Sequence, residues 1–427
     1  MSIDRRRRTF LAASAAIAAA RAGAAPPSLV FLPAAFDARE DQVTLWASAS
    51  ENMALLVRWR GVGDASWRDG PKLQLDERND TTGAVTLAGL PAETHIEYQF
   101  VHADSRAAAS AIAHCKTPSA PEKKPKPFRF VFSADLDEAY KPFRIFDAMA
   151  EAKPDFALLL GDTIYADLPK REFSATTPHY RRKYARNRAD PSFQKFLSRH
   201  TTYTIWDDHE IENDCHGGHP AIALAQRVYR EYWPCESVTP DGLYRSFLWG
   251  GAHFIVLDTR SFRSPHEQDD DGNKSMLGAQ QKKWLFAELQ THRAAFTFII
   301  TSVPFQGGGR DTWASYKTER QEIEMFLKRE RKRNVVFLTG DYHLGRDWSR
   351  PEAGYYEFMA GPLASFTMYG REPAARERYA KSGTFHYGDG ANFAVVDVDC
   401  ANETFTISWR DVQGRALGER VVRTARS

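Results

Sequence analysis

Between residues 128 and 340, short apolar runs alternate with amphipathic ones, and several of the apolar runs stop abruptly in charge. Phe128–Phe132, Phe156–Leu160, Thr201–Trp206, Phe296–Thr301 and Val335–Thr339 are rich in Phe, Leu, Val and Ile, a pattern that predicts buried strands. Between them apolar residues recur every three or four positions. Lys141–Ala152 carries Phe143, Ile145, Phe146 and Met149 on one face and is predicted helical. Phe193–Arg199, Gln280–Gln290 and Glu319–Arg333 are predicted helices as well. Such alternation predicts an α/β fold. Two antiparallel pairs are also expected. Tyr244–Leu248 and His253–Leu257 flank Trp249-Gly250-Gly251-Ala252, a hairpin signal, and Phe393–Val398 should pair with Thr404–Trp409.

Residues 27–116 follow a different pattern. Val43–Ala47, Ala54–Trp59, Val85–Leu87 and Ile96–Val101 are short β-rich runs separated by Gly, Asp and Asn clusters, which predicts a β-sandwich. Pro121–Pro127 is a Pro/Lys stretch and is expected to be a semi-extended linker. At 427 residues the chain is too long for one ordinary core, so two domains are expected.

Composition changes this picture mainly at the N-terminus. Arg7-Arg8-Thr9-Phe10-Leu11 begins an Ala-rich apolar run too short to span a bilayer, and Ala22-Gly23-Ala24 is a small-residue cleavage site. Residues 1–24 are therefore expected to be a twin-arginine signal that exports an already folded protein to the periplasm or the medium. That segment holds five arginines and one aspartate, so the formal charge of +2 becomes −2 without it. A near-neutral chain is not expected to bind nucleic acid. No later run is long and apolar enough for a membrane helix. Cys115, Cys215, Cys235 and Cys400 lack Cys-x-x-Cys spacing, which argues against a thiolate zinc site; a Cys215–Cys235 disulfide and buried free thiols both remain open.

The chemistry sits where the strands end. Phe156–Leu160 runs into Gly161-Asp162-Thr163-Ile164-Tyr165, Thr201–Trp206 into Asp207-Asp208-His209-Glu210, and Val335–Thr339 into Gly340-Asp341-Tyr342-His343. The first strand ends in Ser133-Ala134-Asp135. Open α/β sheets place their sites outside the carboxyl ends of the strands. Carboxylate, phenolate and imidazole converging there point to a polynuclear metal centre. His209, beside Asp208, is positioned to donate a proton. The basic run Tyr180–Arg188 is a solvated face first and a phosphate-attracting rim second, and His216 and His219 read first as a surface loop.

As an ordered set these segments resemble the alkaline phosphatase D (PhoD-like) metallophosphatases. The Gly-Asp-x-x-Tyr segment, and a β-sandwich ahead of a catalytic domain, also resemble the purple acid phosphatases. The resemblance includes Leu277-Gly278…Gln281…Trp284-Leu285 and Trp313…Tyr316…Glu319-Arg320. It implies a four-layer α/β/β/α sandwich over residues 128–427, preceded by a fibronectin type III- or Ig-like domain (25–118) and a linker (119–127). It implies that Asp162 bridges two metal ions. Asp135, Tyr165 and His343 would hold an iron-like ion, and Asp208, Asp341 and Asn213 the second. Fe3+ with Ca2+ is the implied pair, with Zn2+, Mn2+ and Mg2+ as alternatives. Many family members carry a cysteine in a Gly-Ser-Cys run where this chain has Ala134-Asp135.

The expected function is that of an exported, monomeric phosphatase acting on phosphate mono- or diesters. Three alternatives stand beside it. Asp135-x-Asp137 resembles the aspartyl-nucleophile centre of haloacid dehalogenases, the same metals could serve a phospholipase- or nuclease-like diesterase, and a surface protein could retain the centre without catalysis.

Overall fold

A computed structural model describes residues 29–423; the proposed signal lies outside the described residues. The fold is mixed α/β with three sheets. The nine-stranded sheet runs, in spatial order, Ala416–Arg423, Thr404–Asp411, Asn392–Asp399, Phe128–Ser133, Phe156–Leu160, Thr201–Ile205, Ala34–Arg39, Gln42–Ser48 and Thr82–Ala88. The seven-stranded sheet runs Arg245–Trp249, Ala252–Val256, Thr297–Ile300, Val335–Thr339, Tyr355–Met359, Gly345–Asp347 and His386–Tyr387. A four-stranded antiparallel sheet holds Arg68–Leu75, Met53–Gly61, His95–His102 and Ala113–Lys116.

The two larger sheets meet through phenylalanine. Phe130 lies 5.4 Å from Phe298 and 5.5 Å from Phe254, edge to face, and Phe156 lies 5.4 Å from Phe254. Each such fully buried ring contributes about 1.5–3 kcal/mol. On the other face of the seven-stranded sheet, Gly278–Thr291 buries Gln281, Leu285 and Leu289, one residue per turn. Lys317–Arg329 beside it buries Glu319, Ile323, Phe326 and Leu327.

Most predicted elements appear close to their expected bounds. Phe156–Leu160 and Val335–Thr339 coincide, and the Gly250-Gly251 hairpin forms with both glycines at positive φ (55° and 87°). The helix expected over Lys141–Ala152 is shorter, Ile145–Glu151. Pro142 cannot supply the N–H that an interior helical position needs, and Asp137 instead caps a separate 3-10 turn at Glu138–Tyr140. Phe143, Ile145, Phe146 and Met149 are nevertheless all buried. All four cysteines are free thiols, so no Cys215–Cys235 bridge exists.

One connection was not foreseen. Three N-terminal strands extend the nine-stranded sheet, because Ala34–Arg39 pairs in parallel with Thr201–Ile205, Phe36 opposite Thr202. The four-stranded sheet leans on the same strand and on the end of the helix before it: Lys116 N donates to Thr201 Oγ1 (3.1 Å) and His114 N to Ser198 O (2.7 Å). Among the described residues, no helix is long and apolar enough to cross a membrane.

Candidate metal centre

Four strands deliver their ends to one place. Phe128–Ser133, Phe156–Leu160 and Thr201–Ile205 run parallel in one sheet, and Val335–Thr339 approaches from the other. The chain turns sharply at four of the candidate ligands. Asp135 (φ 69°), Asp162 (51°), Asp341 (70°) and His343 (53°) all adopt left-handed backbone. For residues other than glycine this costs about 1–3 kcal/mol each and is sustained only where the surroundings dictate it. Gly161 has φ 99°, and a Cβ there would fall 2.6 Å from that of Asp207. A side chain at Gly361 would collide with the Asp135 carboxylate.

Three overlapping groups of ligand atoms result. Asp135, Asp162 and His343 each offer an atom within 4.8 Å of the others, and so do Asp162, Asp207, Asp208 and Asp341. Asp162, Asp208 and His209 form the third, and Asp162 belongs to all three. Tyr165 Oη lies 3.0 Å from His343 Nε2, and the Tyr165 ring stacks on His209 at 4.1 Å. His343 Nδ1 is 2.6 Å from Phe366 O and must donate to it, so Nε2 keeps its lone pair for the cluster. Burial pushes the His343 pKa down to about 3, so the ring is neutral.

The carboxylates are short of partners. Both oxygens of Asp135, Oδ2 of Asp162 and Oδ2 of Asp207 are buried without a hydrogen bond. Burial raises the pKa values of Asp135, Asp162 and Asp341 well above the usual range, and repulsion from Asp207 and Asp208 adds to it. Buried charges of one sign are unfavourable unless a cation compensates them. Carboxylate oxygens, a phenol and an unprotonated imidazole nitrogen suit hard and borderline cations. The residues present therefore fit bound metal.

His209 is held from both sides. Its Nδ1 lies 2.6 Å from Asp167 Oδ1, and its backbone N–H donates to Asp208 Oδ1 (2.9 Å) and Asp162 Oδ1 (3.2 Å). Burial works to lower its pKa, but Asp208 and the bond to Asp167 outweigh it and raise the value to about 9. The ring lines a cavity of about 500 Å³ together with Asp208, Asn213, Asp341, Tyr342, His343 and Phe366. Arg371 is the one arginine or lysine among the described residues of that lining, and its guanidinium lies 5.0 Å over the Phe366 ring.

The remaining sequence candidates take other places. Asn213 reaches the cavity wall, and its backbone N–H donates to Asp167 Oδ2 (3.3 Å). Asp137 caps Ala139 N (2.9 Å), so the Asp135-x-Asp137 pair does not present two free carboxylates. The basic run is used inside the fold: Arg181 pairs with Glu231, Lys183 and Arg186 with Glu138, and Arg188 lies 3.9 Å over Trp233. His219 bonds Glu212 at 3.0 Å in the loop that also holds His216. Gln281 grips the backbone of Asp258 on both sides, and Asp258 in turn accepts Trp206 Nε1 (2.9 Å). Glu319 accepts from Ser275 Oγ (2.6 Å) and Leu277 N (3.2 Å).

Three features escaped the sequence reading. Glu210 accepts Asp162 N (3.0 Å), Thr163 N (2.6 Å) and Asp207 N (2.8 Å), tying two strand ends together. Arg260 is fully buried and binds Asp207 Oδ1 (2.6 Å) and Asp311 (2.5 and 3.0 Å). Asp311 also pairs with buried Arg263. A signal for Arg260 was present, since Asp258-Thr259-Arg260 directly follows the predicted strand His253–Leu257.

The architecture and the site define a class: α/β proteins that gather buried carboxylates and imidazoles at strand ends to hold metal. A model described as PhoD-like phosphatase matches residues 130–409, and the chain belongs to that family. Alkaline phosphatase D of Bacillus subtilis (strain 168) is 28% identical over 284 residues, which cover 55% of this chain and 49% of that protein. Purple acid phosphatase 23 of Arabidopsis thaliana is 24% identical over 336 residues, 75% of this chain and 64% of that protein. The chain thus spans about half to two thirds of the length of these relatives. A solved structure titled "Structure of PhoD" shares the fold, with a TM-score of 0.79 at 21% identity, covering 92% of this chain and 88% of that one.

Proposed function

We propose that this chain is an exported phosphatase that hydrolyses phosphate mono- or diesters with the help of two bound cations. One observation carries the reading: Asp162 belongs to all three groups of ligand atoms and still has a buried oxygen without a partner. Asp135, Tyr165 and His343 would hold one ion, Asp208, Asp341 and Asn213 the other, with Asp162 between them. Fe3+ with Ca2+ is the favoured pair, and Zn2+, Mn2+ or Mg2+ the alternatives. Such ions, when bound, supply Lewis acidity that neutralises phosphoryl oxygens and lowers the pKa of water.

The protein's own groups do the rest. His209 carries its proton toward the cavity on Nε2 and gives it to the leaving oxygen, while Asp167 holds the ring in place through Nδ1. General acid catalysis of this kind is worth about 10²–10⁴-fold. Arg371 supplies a positive charge to receive a phosphate oxygen, and Phe366 supports its guanidinium from below. Glu210 fixes the backbone of Asp162 and Thr163, so that the shared carboxylate keeps its direction.

The reading extends to organisation. Residues 1–24 would direct twin-arginine export to the periplasm or beyond. Residues 25–118 would form a fibronectin type III-like module, joined through 119–127 to a catalytic region, 128–427, layered α/β/β/α. Phenylalanine packing between the two large sheets and helices buried on an outer face support that layering.

Metal analysis together with hydrolysis of p-nitrophenyl phosphate and its bis ester tests the proposal. The purified protein should hold at least two equivalents of metal and turn over at least one ester. Asp162→Asn should lose both metal and turnover. A folded Asp162→Asn protein with unchanged metal and rate would overturn the shared-carboxylate assignment.

A further inference from the structure

A second cluster with metal-ligand chemistry lies far from the strand-end cavity. His253 is on the strand Ala252–Val256, near its start. Glu288 is in the last turn of the helix Gly278–Thr291, and His292 is the residue that ends it. Residues 288 and 292 are one helical turn apart and share a face, and that face meets the start of the strand. His253 Nε2 lies 3.1 Å from Glu288 Oε2, and His292 Nε2 lies 3.9 Å from the same oxygen. The two imidazole rings are 4.4 Å apart, and one ligand atom from each of the three residues falls within 4.8 Å of the others.

We infer that His253, Glu288 and His292 form an additional cation site for a divalent transition metal, Zn2+ being the natural occupant. Imidazole and carboxylate ligands at bonds of about 2.0–2.2 Å in tetrahedral geometry stand roughly 3.3 Å from one another. The observed spacings reach that with small side-chain movements. Ser246 Oγ donates to Glu288 Oε2 (2.7 Å), the outer partner that orients a ligating carboxylate. His253 is fully buried, and Nε2 is the ring nitrogen it turns toward Glu288.

Electrostatics favour a cation here for a separate reason. Glu288 lies near the helix C-terminus, where the exposed carbonyls already make the potential negative; the last turn carries no basic residue, and the opposing charge at His253 comes from Lys332 outside the helix. A hydrogen bond between His253 and Glu288 accounts for two of the three residues and leaves His292 only a longer contact to Glu288 (3.9 Å) and to the His253 ring. A bound cation uses all three. Side-chain exposures of 19% for Glu288 and 35% for His292 leave room for a water as fourth ligand.

The site is structural. His253 precedes Asp258 by five residues of extended chain, roughly 16 Å from the catalytic end. Its effect would be to pin the end of the helix to the start of the strand. It is independent of phosphoester hydrolysis and stands whether or not that reading holds.

Titration of the full chain with zinc sulfate, read by metal content and thermal midpoint, tests the inference. His292→Ala removes a partly exposed ligand, and Glu288→Gln keeps a hydrogen-bonding side chain of the same shape. Wild type should retain one more equivalent of zinc than either variant, with affinity at that site weakened about tenfold or more in the variants. Zinc should raise the midpoint of wild type further than that of the variants, and ester hydrolysis should be alike in all three. Equal zinc content and equal midpoint shifts in wild type and both variants overturn the site.

Discussion

Asp167 Oδ1 and His209 Nδ1 lie 2.6 Å apart, joining the loop after Phe156–Leu160 to the Asp-Asp-His-Glu turn after Thr201–Ile205. Burial alone would lower the His209 pKa; Asp208 and Asp167 lift it to about 9. Because the folded value is raised, the proton needed for acid catalysis is present below that value and lost as pH rises through it. Asp167→Asn keeps the shape and removes the charge. The alkaline limb of the pH–rate profile should therefore move to lower pH by about one unit or more. A limb that stays in place rules out Asp167 as the group that sustains the acid.

Tyr165 should give the loaded protein colour. Burial, with the charges of Asp162 and Asp135, holds its phenol pKa well above the usual value, so only a highly charged cation would take the proton's place. Ferric phenolate absorbs visible light, whereas zinc, calcium and magnesium complexes do not. Tyr165→Phe should lose the band while retaining iron through Asp135, Asp162 and His343. An iron-loaded, active wild type without a band, or a band that survives in Tyr165→Phe, makes Tyr165 a packing residue.

Arg371 should act on substrate capture. Arg371→Ala is expected to raise KM about tenfold or more with a smaller change in kcat, and Arg371→Lys to recover part of the loss. Steady-state kinetics on an aryl phosphate separate the two parameters. An unchanged KM in Arg371→Ala assigns substrate capture to other groups.

Asp311 is predicted to matter for stability. Burial works to raise its pKa, but Arg260 and Arg263 overturn that and hold the carboxyl well below the usual range. A depressed folded-state value means that its contribution is complete above the ordinary carboxylate range and fades as pH falls through the folded value. Asp311→Ala leaves two buried guanidinium groups without this partner and should cost about 3–5 kcal/mol at pH 7. Urea unfolding at pH 7 and in strong acid should show the gap between wild type and variant narrowing in acid. A loss below about 1 kcal/mol at pH 7 contradicts this role.

The proposed export would rest on Arg7 and Arg8. Arg7→Lys with Arg8→Lys should leave the protein in the cytoplasm, unprocessed. Cell fractionation with N-terminal sequencing checks it, and normal export of the double variant refutes the twin-arginine reading.

What could be read in advance followed from local pattern. Val335–Thr339 and Phe156–Leu160 are apolar but for Thr339, are buried throughout and run into Gly-Asp, so period, length and stop signal agree. Long-range pairing leaves no such trace. Nothing in the composition of Ala34–Arg39 names Thr202 as the neighbour of Phe36. Ala416–Arg423 is an edge strand of mixed polarity, and the apolar pattern passed over it. Asp207 stood in plain view beside Asp208, but its engagement by Arg260 and by Ser302 Oγ (2.6 Å) depends on which strand ends meet.

The parallel pairing of Ala34–Arg39 with Thr201–Ile205 has a practical consequence. The strand that carries Trp206–Glu210 into the metal centre is an interior strand only because the N-terminal region covers its flank. A truncation at the Pro/Lys stretch, the obvious place to cut, would leave an open row of backbone donors and acceptors one strand away from Asp162. Such an edge invites pairing with another chain. The natural unit for expression or grafting therefore begins ahead of Ala34, and a fragment started at Phe128 is expected to be more prone to aggregation than the longer chain.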